Sequence, residues 1–161
     1  MRHEHSYAIT VEWLGNRGTG TSGYRDYGRE HVVRAAGKHD LEGSSDRVFH
    51  GNAERWNPEE LLLAALSQCH LLSYLHVAAT AGVIVTGYTD AAVGTMVQTA
   101  NGGGRFTSAT LRPRVTIASG DIELARTLHG EASAKCFIAA SVNFPVHHEP
   151  EIIVEGASGE V

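Results

Sequence analysis

The chain has 161 residues, which suits one compact domain with a hydrophobic core of its own. An apolar share of 42%, a charged share of 19% and a formal net charge of -5 exclude a nucleic-acid surface, which needs clustered Lys and Arg. The first residues, Met1-Arg2-His3-Glu4-His5, are charged and run straight into a strand pattern. They do not read as a secretory signal, so the expected compartment is the reducing cytoplasm.

Tyr7 to Trp13 alternates as a half-buried strand does, and Gly15-Asn16-Arg17-Gly18-Thr19-Gly20 reads as a turn. Further strands are expected at Thr21 to Arg25 and at His31 to Ala36. Gly37 to Asn57 is polar and irregular, with Gly43-Ser44-Ser45-Asp46 at its centre, and reads as an ordered loop.

Asn57-Pro58-Glu59-Glu60 starts a helix. Asn57 can cap, Pro58 suits the first helical position, and Glu60 stands where a capping-box acid reaches back. The helix is predicted to run from Pro58 to about Ala81 and to stop at Gly82. Leu61 to Leu66 make its first half apolar nearly all round, the pattern of a buried helix. Ser67, Gln68, His70 and His76 would be costly in lipid, which argues against a membrane span. A chain of this size surrounds such a central helix poorly, so a second subunit is expected.

Val83 to Val97 and Arg105 to Ala118 read as strands joined at Asn101-Gly102-Gly103-Gly104, a hairpin signal. Asp121 caps a second helix expected to continue, with a break at Gly130, towards Val142. Glu131 and Lys135 take the favourable i,i+4 order on it. Pro145 ends that helix, and Glu151 to Glu155 gives a last strand. The order predicts an α+β fold of antiparallel sheets with two main helices, over a single domain 1–161.

Two cysteines stand in these helices, Cys69 within Ser67-Gln68-Cys69-His70 and Cys136 within Lys135-Cys136-Phe137-Ile138. Position alone leaves two readings open. Free cysteine is among the most buried residue types, so both can be core residues. The other reading is chemical: a thiolate attacks a peroxide oxygen, becomes a sulfenic acid, and is captured by a second thiol. That chemistry needs two thiols that can meet and a cation to hold the first as thiolate.

Asn57-Pro58-Glu59-Glu60-Leu61-Leu62, then Ala64-Ala65, then Cys69, resembles the signature of the OsmC/Ohr family, and more closely its OsmC-like branch. The second cysteine follows 67 positions later, where the family carries its own. The resemblance implies an intertwined homodimer with a central buried helix and active sites at the subunit interface. It also implies thiol-dependent reduction of organic hydroperoxides, with a dithiol or protein thiol as reductant and no cofactor. Carried onto this chain, Cys69 becomes the peroxidatic thiol, Cys136 the resolving thiol, and Glu59 the acidic partner of an active-site arginine. The OsmC branch points to Arg47 as that arginine and the Ohr branch to Arg17, with Arg25 and Arg55 as further candidates. Gln68, His70 and Phe137 depart from the family's usual neighbours of the two cysteines and bear on which peroxide is preferred.

Glu59 and Cys69 stand ten residues apart on the predicted helix, roughly 15 Å along its axis. They cannot touch within one chain. Two such helices packed antiparallel about a two-fold axis would bring Glu59 of one subunit towards Cys69 of the other. The plainer role for Glu59 is to complement the positive end of the helix.

The ten histidines raise the question of a metal. His70 and His76 lack the i,i+4 spacing of a shared helix face, His147-His148 point to opposite faces of a strand, and no spacing matches a zinc site. No nucleophile-elbow motif supports serine chemistry. Two other functions compete with a peroxidase: a dimeric module holding a hydrophobic small molecule, and a redox sensor that passes oxidation to a partner.

Overall fold

The computed structural model describes residues 3–156. They fall into two units, Met1–Leu61 and Leu62–Val161. In the first, β1 (Thr10–Trp13), β2 (His31–Arg34) and β3 (Leu41–Gly43) form an antiparallel sheet in the order β1-β2-β3.

The strand expected at Thr21–Arg25 is absent, because side chains close turns there instead. Asn16 Oδ1 accepts from the N–H groups of Gly18 and Gly20, and the Arg29 guanidinium donates to the carbonyls of Tyr24 and Tyr27. The segment Gly37 to Asn57 is more ordered than a loop. Gly37, at φ 72, turns the chain so that β3 pairs with β2, and Asp46 caps a 3-10 turn at Arg47–Phe49.

Helix α1 (Pro58–Thr80) starts and ends where its local signals put it. Glu60 N–H donates to Asn57 Oδ1 at 2.8 Å and Asn57 N–H donates back to Glu60 Oε2 at 3.4 Å, the two halves of a capping box. At the other end Val83 N–H donates to the Ala78 carbonyl and Gly82 N–H to that of Ala79, with Gly82 at φ 76. That is a Schellman stop, which needs the left-handed conformation that glycine adopts without strain.

The second unit holds two three-stranded sheets and a second helix. Strands β4 (Val85–Asp90), β7 (Pro113–Ile117) and β9 (Glu151–Val154) form one sheet, in the order β4-β7-β9. Strands β5 (Val93–Gln98), β6 (Gly104–Leu111) and β8 (Val146–His148) form the other, in the order β5-β6-β8. Each long strand expected before and after the glycine-rich hairpin is therefore cut in two, and its halves join different sheets. Asp90 marks the corner: its carboxylate accepts the Arg112 N–H at 2.7 Å and the Ser67 hydroxyl at 2.6 Å. The sheets are mixed, since β6–β8 and β7–β9 run parallel.

Helix α2 (Ile122–Lys135) is capped by Asp121 as expected, and Glu131 meets Lys135 at 2.5 Å. Gly130 does not break it. It ends at Lys135 and not near Val142, because the backbone at Cys136 is extended (φ -77, ψ 108). A separate 3-10 turn, Ala139–Ser141, follows.

The core of this unit packs Tyr74, Val77 and Ala78 of α1 and Ala125, Leu128 and Ala132 of α2 onto Val115, Ile117 and Ile152 of the β4-β7-β9 sheet. A single chain covers α1 along one stripe only. Only Leu66, His70, Tyr74, Val77 and Ala78 are buried, and Leu72 is 65% exposed. By length and composition α1 would also suit a membrane span. Its polar groups instead bond within the unit: Ser67 to Asp90, His70 to His129, and Tyr74 Oη to the Ala125 carbonyl.

Candidate active site

The buried residues of α1 recur as one stripe, Leu66, His70, Tyr74, Val77, Ala78, and those of α2 as Ala125, Leu128, His129, Ala132. Cys69 stands beside the first stripe and is half-buried. Cys136 follows the last turn of α2 and is buried. The two thiols, 67 positions apart in sequence, lie near enough for Cys69 to perturb Cys136 and are unlinked.

Cys136 is not within the second helix, as expected, but is the residue that caps its end. Its Sγ also accepts the Ala139 N–H at 3.4 Å. Burial, and then the neighbouring Cys69 side chain, push the Cys136 thiol up to about 11, while the Ala139 N–H pulls the other way. Cys136 is therefore a protonated thiol at neutral pH, next to the Cys69 side chain.

Cys69 opens onto an apolar cavity of about 850 Å³, lined among others by Leu72 and His76 of α1, by Lys135 at the end of α2, and by Phe137 and Ile138 beyond Cys136. Phe137 is 81% exposed and stands at this opening. The arrangement suits a partly exposed sulfur meeting the reactive end of an apolar molecule, with a second sulfur behind it.

The remaining candidates belong to the first unit. Glu59 is half-buried in the first turn of α1, and Arg47 is exposed on the 3-10 turn. Neither has an ion-pair partner among the described residues, and nor do Arg17 and Arg25. Arg55 pairs with Glu42 at 3.5 Å.

Sequence reasoning missed a histidine cluster directly behind Cys69. His70 Nε2 lies 3.0 Å from His129 Nδ1, with the rings nearly parallel, and both residues are buried. The His148 ring sits 4.4 Å from that of His70, and the Tyr74 ring 4.0 Å from that of His129. Burial holds His70 down at about 3 and His129 at about 4, with neighbouring positive charge adding to the effect. Burial lowers His148 as well, against the attraction of Asp90. Among the described residues no group of His, Cys, Asp or Glu has the arrangement to hold a metal ion. The only signal in the sequence was His70 standing where the buried stripe of α1 runs.

No curated protein matches the chain in sequence. An OsmC-like protein of unknown function from Vibrio cholerae is 30% identical and superposes with a TM-score of 0.78, over 93% of this chain and 100% of that one. An organic hydroperoxide resistance protein from Elizabethkingia anophelis shares the fold at 20% identity and a TM-score of 0.67, over 96% of this chain and 100% of that one. A putative organic hydroperoxide resistance protein from Vibrio cholerae, with captopril bound in one of its active sites, shares it at 22% identity and 0.64, over 97% and 95%. The family described as OsmC-like protein matches residues 51–151, which include Glu59 and both cysteines, and the chain belongs to that family.

Proposed function

We propose that this chain is a thiol peroxidase for organic hydroperoxides, with Cys69 as the attacking sulfur and Cys136 as the resolving one. The observation that carries the reading is the pair of neighbouring, unlinked thiols, one buried and one opening onto an apolar cavity. Relatives named for organic hydroperoxide resistance share the fold and support it.

In the first step the Cys69 thiolate attacks the terminal peroxide oxygen. The O–O bond breaks, Cys69 becomes a sulfenic acid, and the alkoxide leaves and takes a proton to become the alcohol. The Cys136 sulfur then attacks the Cys69 sulfur, forming the disulfide and releasing water. An external dithiol returns both sulfurs to thiols and leaves as its own disulfide. Cys136 suits the second role because burial keeps it protonated and away from the peroxide until the sulfenic acid forms beside it. The exposed face of α1, with Leu72 and Leu75, is apolar surface for a second copy of the chain to cover in a homodimer.

Titration with cumene hydroperoxide tests the reading. The wild-type chain should lose both free thiols per equivalent of peroxide and gain a Cys69–Cys136 linkage detectable by mass spectrometry. Cys69→Ser should consume no peroxide. Retention of both thiols in the wild type, at peroxide concentrations that oxidise ordinary peroxidases, would sink it.

A further inference from the structure

A hydrogen-bonded pair of histidines joins α1 to α2 behind the thiols. His70 directly follows Cys69 on α1, and His129 precedes Cys136 by seven residues, about two helical turns, on α2. The two rings meet through one N–H···N hydrogen bond of 3.0 Å. Their outer nitrogens, His70 Nδ1 and His129 Nε2, are buried and have no partner among the described residues. Whichever tautomer forms, one of those outer atoms is an N–H without an acceptor. A buried, unsatisfied polar group is destabilising, whereas two apolar side chains of the same shape carry no such penalty. The pair is therefore a poor source of stability. What it does supply is direction: one hydrogen bond between two helices is met at a single relative placement, whereas apolar contacts tolerate sliding.

We propose that His70 and His129 are positioning residues, whose hydrogen bond fixes the register of α1 against α2 at which the Cys69 and Cys136 sulfurs meet. The inference rests on the reading of these cysteines as an attacking and a resolving pair, and it names what keeps the second within reach of the first. Tyr74 supports the same register from its stack on His129 and its hydrogen bond to Ala125, one turn before His129. The groups facing the pair are His148 of β8, which Asp90 of β4 faces in turn, and Arg126 and Tyr74 from the two helices. No carboxylate contacts the pair itself, so it works as neutral imidazoles.

Equilibration with reduced and oxidised glutathione tests this without any hydroperoxide, so its outcome is independent of whether the chain turns peroxide over. Two protein thiols and one glutathione disulfide give the Cys69–Cys136 disulfide and two glutathiones. The equilibrium ratio reads the effective concentration of one protein thiol at the other. His129→Leu should lower that concentration by about tenfold or more, the scale of coupling between contacting residues. His129→Asn keeps a polar atom where Nδ1 stands and should restore most of it. Val77→Ala, which loosens the core without touching the pair, should leave it at the wild-type value. A wild-type ratio in folded His129→Leu overturns the proposal, and so does an equal loss in Val77→Ala. Should His129→Leu not fold, the ratio is read in His70→Ala, in His129→Ala and in both together. A pinned register makes the two effects non-additive, and additive effects overturn it.

Discussion

Cys136 lies next to Cys69, and burial together with that neighbour keeps its thiol protonated up to about 11. The two sulfurs are thus unequal before any oxidant arrives. Cys136→Ser should leave the first step intact and remove the second, so that the Cys69 sulfenic acid persists and proceeds to sulfinic acid under excess peroxide. Mass spectrometry of the oxidised variant would show a gain of two oxygens on Cys69. A disulfide-free wild-type protein after the same treatment would remove the resolving role.

The apolar mouth of the cavity implies a preference for peroxides with an apolar body. Phe137 and Leu72 are exposed there, 81% and 65%, at the opening beside Cys69. Phe137→Asp should raise KM for cumene hydroperoxide by about tenfold, the scale on which an apolar pocket discriminates, and leave the rate with hydrogen peroxide nearly unchanged. Equal losses with both peroxides would mean that Phe137 acts on the sulfur and not on the substrate's body.

The histidine cluster sets the sign of a pH dependence. His70 and His129 are held at about 3 and about 4 in the folded chain, against 6.5 for a free imidazole. Between pH 6.5 and those values the unfolded chain binds more protons than the folded one. Their contribution to stability is therefore complete above pH 6.5 and is lost as pH falls towards 4 and then 3. Each histidine can add at most about 1.4 kcal/mol per pH unit. Urea midpoints at pH 7 and pH 5 should differ more in the wild type than in the His70→Gln/His129→Asn double variant, and equal differences would contradict the assignment.

What could be read from the sequence was local. Asn57 with Glu60, Gly82 and Asp121 act through groups within a few residues of themselves, and both helix starts and the end of α1 lie where those residues put them. The NPEEL-to-cysteine spacing pointed to the family because it also lies within one helix. The failures are contacts between distant segments. His70 and His129 are 59 residues apart, so nothing near either one shows that they pair. Leucine at Leu72 and Leu75 and histidine at His70 invert the usual rule for which residue faces the core. The corner that splits the long hairpin depends on Asp90 reaching Arg112, 22 residues away.

That corner yields a stability prediction. Asp90 accepts from a backbone N–H and from the Ser67 hydroxyl, and so ties both halves of the hairpin to α1. Asp90→Ala should cost about 2 kcal/mol, as expected for lost hydrogen bonds to a charged, half-buried group. The urea midpoint should fall with an unchanged denaturant slope. A midpoint equal to wild type would show that the bend is held by the sheets alone.

The last prediction concerns a site shared between subunits. Glu59 opens α1 and Cys69 stands ten residues further along the same helix, roughly 15 Å away, so the acid cannot serve the sulfur of its own chain. The apolar face of α1 left exposed by one chain is surface for a second α1 to cover. An antiparallel pair about a two-fold axis would do this and carry Glu59 of each copy towards Cys69 of the other, with Arg47 as the bridging cation. Glu59→Ala and Cys69→Ser chains should each be poorly active as homodimers. Mixed in equal amounts and allowed to exchange, half of the dimers are mixed, and each mixed dimer holds one intact site and one lacking both groups. About a quarter of wild-type activity should return, and Arg47→Gln placed in trans to the intact Cys69 shows which subunit supplies the cation. No recovery after verified exchange would mean that Glu59 and Cys69 do not form one site.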